Sequence, residues 1–208
     1  MTARNTPARR VGVRLVVPAV AAALILTGCA SQQATHLTDV YESGSGDYIS
    51  GDGRLITLTP ESRDEPVSFS GALDTGGDFD AEAARGDVVI INFWYAACPP
   101  CRIEAPDLEE LHQQYLDADV TMVGVNVRDT AGTSLTFAEE FGITYPSIID
   151  NETNDVQLVF ADGKLGQNAV PTTLVLDRQG RIAARYSGLI TSPSVISEIV
   201  DDLLAEQA

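Results

Sequence analysis

Lysine is almost missing from this 208-residue chain: Lys164 stands alone among 13 basic residues, which face 30 acidic ones for a formal net charge of −17. Such a chain lacks the clustered cations that a nucleic-acid surface needs, which excludes DNA and RNA as partners. Cysteine is scarce too. Three residues are too few for a disulfide scaffold, and with only two histidines, His36 and His112, a four-ligand zinc site has little to draw on. No apolar run reaches the roughly 20 residues of a membrane-spanning helix. What remains is 44% hydrophobic and 21% charged, the composition of a globular domain of ordinary size with some tail.

The first residues form an address, not a fold. Arg4, Arg9, Arg10 and Arg14 precede an apolar run from Leu15 to Leu26 that contains Pro18, the pattern of an export signal. The run closes on Leu26-Thr27-Gly28-Cys29, which resembles the bacterial lipobox. That resemblance implies lipidation of Cys29, which becomes the mature N-terminus after residues 1–28 are removed. Arg9-Arg10 stands in a poor twin-arginine context, which favours the general secretory route. The remaining chain then carries −21, nine basic against 30 acidic residues, and anionic headgroups repel it. The lipid does the anchoring. Residues 29–47 are polar and end in Gly and Ser, suiting a flexible tether of roughly 20–25 Å root-mean-square reach.

Residues 48–208 are expected to form a single α/β domain: a central mixed sheet flanked by helices. Leu55–Leu58 alternates weakly and Val67–Ser70 with period two, the second arm of a hairpin or an edge strand; together they predict an N-terminal β extension, with Asp74–Asp80 as loop. Val88–Tyr95 is a nearly continuous apolar run, the mark of a strand buried on both faces. Ile103, Leu108, Leu111 and Tyr115 repeat at helical spacing. Strands follow at 120–127, 145–149 and 172–177, and helices at 134–141 and 155–160. A turn at 178–180 makes an antiparallel hairpin with 181–186. Ser192-Pro193 opens a final helix with a serine cap and a first-turn proline.

Cys98-Pro99-Pro100-Cys101 falls where the buried strand ends and the next helix begins. A helix N-terminus carries partial positive charge and unpaired N–H groups, so a cysteine there is favoured as the thiolate that attacks disulfides. A second cysteine three residues on can resolve the mixed disulfide. The prolines cost no hydrogen bonds in a first turn and hold the sulfurs in a set geometry. Three other readings compete. Zinc would need ligands beyond His36 and His112, an inert structural disulfide is unusual in so small a ring, and a peroxidase would expect Pro and Thr just before its cysteine.

Asn92-Phe-Trp-Tyr-Ala-Ala-Cys-Pro-Pro-Cys-Arg-Ile-Glu-Ala-Pro106 resembles the active-site signature of the thioredoxin superfamily, and specifically the membrane-tethered TlpA/ResA-type thiol–disulfide oxidoreductases. Val170 to Gly180 resembles that family's cis-proline segment. The likeness covers about residues 67–206, marks 129–150 as the helix-plus-strand insertion of this branch, and is nearest in pattern to actinobacterial CcsX-like lipoproteins of cytochrome c biogenesis, which Val170 to Ala184 resembles in particular. It implies a thioredoxin-like fold, Cys98 as exposed nucleophile and Cys101 as buried resolver, and a cis Pro171 facing them. Trp94, Pro99, Pro100, Val170 and Pro171 would border the substrate, with Trp94 shielding the dithiol or simply packing the core. Pro106 would kink the helix. Where thioredoxins proper carry a buried Asp, this chain has Asn92, which cannot move a proton. Glu104, partly buried on the helix face of Cys101, would take that part with a raised pKa; a surface glutamate is the competing reading. His112 is expected at the solvent side or in a helix contact, Arg102 at the rim. The resemblance implies no cofactor or metal, and implies apocytochrome c as substrate and a CcdA/DsbD-like membrane thiol reductant as partner, at the outer face of the cytoplasmic membrane. A general oxidase or isomerase of secreted proteins, or a lipoprotein docking module, are the alternatives.

Overall fold

The computed structural model describes residues 53–161 and 169–206; the signal (1–28), the lipidation site Cys29 and the tether (29–47) lie outside them. Strand β4 (Val88–Trp94) is the centre of the fold and is buried at all seven positions, as its uninterrupted apolar run predicts. It pairs in parallel with β5 (Val120–Asn126), which pairs in parallel with β6 (Ser147–Ile149). On its other side lies β7 (Thr172–Leu176), antiparallel, followed by β8 (Ile182–Ser187) and β1 (Arg54–Thr57). The result is a six-stranded mixed sheet of order β1-β8-β7-β4-β5-β6.

Helices cover both faces. On one, α1 (Pro99–Gln114) and α4 (Ser194–Ala205) press Leu108, Leu111, Ile196, Val200 and Leu203 onto Val88, Ile90 and Val175. On the other, α2 (Ala131–Phe141) and the short α3 (Asp155–Val159) cover Ile91, Phe93 and Leu174 through Phe137, Val156 and, just past α3, Phe160. Because β4 alternates, Val88 and Ile90 feed the first core while Val89, Ile91 and Phe93 feed the second.

Three expectations need correction. The N-terminal ribbon is β2 (Ser70–Ala72) against β3 (Asp78–Asp80), so the ladder starts three residues later than expected and part of the expected loop is strand. The alternation read at Val67–Ser70 is real, since Phe69 is buried between exposed Ser68 and Ser70. The Val67 N–H, however, goes to the Gly180 carbonyl rather than to a strand partner. Ile103 does not join the core: it is 64% exposed, on the outward side of α1. At α4 the Ser192 hydroxyl meets the Ser194 hydroxyl at 2.8 Å instead of capping the helix, and Pro193 takes the cap position.

Candidate active site

After Trp94 the chain turns through Tyr95–Ala97 and enters α1 with Cys98 as its N-cap and Pro99-Pro100 in the first turn. The Cys98 Sγ accepts the Cys101 N–H at 3.3 Å, satisfying one of the orphan donors of the helix start. The two sulfurs are joined in a disulfide, with Cα atoms 5.3 Å apart. Cys98 is not the exposed residue that was expected. It is 0% exposed and Cys101 3%, because in this oxidised state its sulfur is bonded inward to Cys101 and both cysteines belong to the apolar cluster that includes Trp94, Tyr95 and Val170. Pro99 is exposed and Pro100 buried.

The turn before Cys98 is clamped from the β5–α2 loop. Asp129 Oδ2 accepts the Ala96 N–H at 2.6 Å and the Asn126 side-chain amide at 3.0 Å, while the Arg128 guanidinium lies 4.2 Å from the Tyr95 ring centre. Arg102 donates to the Ala96 carbonyl, pairs with Glu140 at 2.6 Å and stacks over Phe141, at the rim as expected. Sequence reasoning missed Asp129 and Asn126, and no local pattern marks them.

Glu104 is wholly buried, where only partial burial was expected. Its Oε1 accepts from Asn92 Nδ2 at 3.0 Å and its Oε2 from the Ile190 N–H at 3.1 Å. Burial pushes its pKa up from 4.5 to about 7, the two hydrogen bonds opposing the shift without cancelling it. Asn92, which also donates to Thr173 Oγ1 at 3.1 Å, thus holds the carboxyl rather than replacing it. His112 packs edge-on against Tyr145 with ring centres 5.5 Å apart, a helix contact. Pro106 lies exposed within α1, which continues past it to Gln114.

A cavity of about 10 Å3, room for about one water, is lined by Asp74, Asn92, Trp94, Cys101, Tyr145 and Ser147. Trp94 is buried, its Nε1 donating to Ser147 Oγ at 3.1 Å and its ring centre 4.4 Å from that of Phe137. Asp74 braces this arrangement: it accepts from Ser134 Oγ at 2.6 Å and from the Ser147 N–H at 3.0 Å. Gly124 makes the approach possible. A Cβ there would collide with Ser147 Oγ and lie 2.8 Å from Trp94 Nε1. Gly124→Ala is therefore expected to destabilise the protein by about 2 kcal/mol through overpacking. Urea unfolding followed by fluorescence checks this, since Trp94 is the single tryptophan.

The Val170–Pro171 peptide is cis. Thr172 pairs with Phe93 at the end of β4, so Pro171 lies beside the strand end from which the cysteine loop departs. Its carbonyl accepts the Gly188 N–H at 2.8 Å, and Val170 is 9% exposed. Among the described residues no group of three His, Cys, Asp or Glu side chains could hold a metal ion.

A model of the Redoxin family matches residues 60–201. The chain belongs to the Redoxin family. It is 35% identical over 129 residues to the thiol:disulfide interchange protein HelX of Rhodobacter capsulatus, covering 62% of this chain and 68% of the relative. With the thiol-disulfide oxidoreductase ResA of Halalkalibacterium halodurans the identity is 28% over 120 residues, 58% of this chain and 65% of that one. The matched stretch thus spans about two thirds of these relatives' length. Among solved structures, a secreted thiol-disulfide isomerase from Corynebacterium glutamicum superposes with a TM-score of 0.67 at 28% identity, over 76% of this chain and 97% of the other. The Redoxin domain here has the thioredoxin-like architecture, and its relatives bear the ResA-type names that the Asn92–Pro106 segment led us to expect.

Proposed function

We propose that this Redoxin-family chain is a thiol–disulfide oxidoreductase, held at the outer face of the cytoplasmic membrane by a lipid on Cys29, that reduces the Cys-x-x-Cys-His disulfide of apocytochrome c. The observation that carries the activity is the Cys98–Cys101 disulfide set at the N-cap of α1. Relatives named thiol-disulfide oxidoreductase and interchange protein support it. The cytochrome substrate and the CcdA/DsbD-like reductant rest on the likeness of residues 92–106 and 170–184 to the cytochrome c biogenesis branch.

In the reduced protein the Cys98 thiolate, favoured by the helix N-terminus, attacks one sulfur of the substrate disulfide. A mixed disulfide forms and one substrate thiolate leaves. Cys101 then loses its proton and attacks Cys98 Sγ, which restores the bond seen here and releases the second substrate thiolate. Two electrons pass to the substrate, whose thiolates take up the two protons given by the cysteines. Glu104, i+3 from Cys101 on one helix face and held there by Asn92 and the Ile190 N–H, receives the Cys101 proton. Val170, Pro171, Pro99 and Pro100 frame the sulfurs for the incoming peptide, and Trp94 closes the inner side. A membrane dithiol carrier reverses the sequence to reload the protein.

A second reading, oxidase or isomerase of secreted proteins, is favoured by the secreted isomerase from Corynebacterium glutamicum. The reduction potential of the full-length protein against a dithiothreitol or glutathione series separates the two. A value near or below about −250 mV fits the reductant; one near about −120 mV fits a disulfide-forming protein and overturns the cytochrome assignment. Cys98→Ser that leaves cellular function intact would instead make the chain a docking module.

A further inference from the structure

We propose that the outward face of α1 is a docking strip for a cationic polypeptide, and that this strip selects the disulfide substrate. The inference rests on the oxidoreductase reading above and adds to it the kind of partner. Pro99, Ile103 and Pro106 stand at i, i+4 and i+7, one face of the helix, and all three are exposed, Ile103 at 64%. Single exposed apolar residues are ordinary. Here three in succession start at the residue after Cys98 and run about 10 Å along the helix. A polypeptide whose disulfide reaches Cys98 extends across them.

Charge names the occupant. Around the strip α1 carries Asp107, Glu109 and Glu110, and the neighbouring α2 carries Glu139 and Glu140, against Arg102 as the one arginine or lysine of the two helices. Arg102 is already paired with Glu140 and stacked on Phe141, and Arg128 in the adjoining loop lies over Tyr95. The strip is therefore an apolar ridge in a negative field, within a chain of net charge −17. An anionic lipid surface is repelled by that field, and so is a second copy of this chain. A polypeptide with Lys or Arg flanking its disulfide and an apolar residue beside it is complementary on both counts.

The test uses the full-length reduced protein and three probes: a Lys-flanked peptide with an internal Cys-x-x-Cys disulfide, the same peptide with Glu in place of Lys, and neutral hydroxyethyl disulfide. The Lys peptide is expected to be reduced about tenfold faster than the Glu peptide at low ionic strength, the gap closing at about 0.5 M salt. Ile103→Ser is expected to lower kcat/KM for the Lys peptide about three- to tenfold and leave hydroxyethyl disulfide unaffected. Asp107→Lys with Glu110→Lys should shrink or reverse the charge preference. Equal rates on the two peptides, or an Ile103→Ser protein indistinguishable from wild type on the Lys peptide, would overturn the proposal while leaving the oxidoreductase reading intact. Failure to reduce even hydroxyethyl disulfide sinks that reading, and the docking strip with it.

Discussion

Glu104→Gln is expected to make the protein more stable than wild type at pH 8, by up to about 3 kcal/mol, and no more stable at pH 4. The wild-type carboxyl has a pKa of 4.5 when free and about 7 in the fold. Below pH 4.5 both states carry the proton and the group does not discriminate. Between pH 4.5 and 7 the unfolded chain ionises while the native protein holds its proton, so wild-type stability falls as pH rises through this window. Above pH 7 the native group ionises too, and the loss levels off. Glutamine cannot ionise and removes the whole slope. Its amide fits the site: Ile190 N–H can donate to the carbonyl oxygen, and Asn92 can turn its own oxygen toward the glutamine NH2 and the Thr173 hydroxyl. Urea titrations at pH 4, 6 and 8 on both oxidised proteins check this. A wild-type midpoint that stays flat across the window, or a Glu104→Gln protein that runs parallel to it, would show that the carboxyl is not held neutral. If Glu104 also takes the Cys101 proton, the pH profile of the resolving step in wild type should carry an inflection near 7 that Glu104→Gln lacks.

That carboxyl illustrates what a sequence discloses and what it hides. Its placement near Cys101 follows from helical spacing alone, and its raised pKa from being on a buried face. That burial is complete, and that Asn92 is its partner, depends on β4 and α1 packing together, which spacing does not state. Local signals sufficed for β4, whose apolar run admits one environment, and for Cys98 and Cys101, whose chemistry is written in four consecutive residues. They failed for Asp74 and Asp129. Each is a loop aspartate with nothing in its neighbourhood to distinguish it, yet Asp74 reaches Ser134 and Ser147, and Asp129 reaches Ala96. Ile103 was misplaced for a related reason. The spacing of Leu108, Leu111 and Tyr115 already fills the inward face of α1, and Ile103 falls roughly a third of a turn away from it. Cys98 was expected to be exposed from its role; in the disulfide the role is suspended and the sulfur points inward.

Arg63→Ala is expected to cost about 3 kcal/mol of stability, since removing one partner of a buried ion pair strands the other, while leaving the reduction potential unchanged. The Arg63 side chain is 3% exposed. Its Nη1 reaches Asp177 Oδ2 at 3.0 Å and Glu206 Oε2 at 2.6 Å, its Nη2 reaches Glu206 Oε1 at 2.6 Å, and its Nε the Leu58 carbonyl at 3.3 Å. One guanidinium thereby fastens the segment after β1, the turn between β7 and β8, and the end of α4. Burial would depress its charge, but the carboxylates outweigh that and its pKa is raised, Glu206 contributing most. Asp177 is equally buried and keeps Arg181 Nε at 2.7 Å when Arg63 is gone, which holds the loss near the lower end of what a broken buried pair costs. Lysine at this position supplies charge without the planar fork that engages both Glu206 oxygens, so Arg63→Lys should recover only part of the loss. The indifference of the potential follows from topology. Strand β7 begins beside the cysteine loop, where Thr172 pairs with Phe93, and ends at Leu176 opposite Val89. Asp177 therefore lies at the far end of the sheet from Cys98. A shift in potential in Arg63→Ala, or a urea midpoint equal to wild type, would refute this account of the clamp.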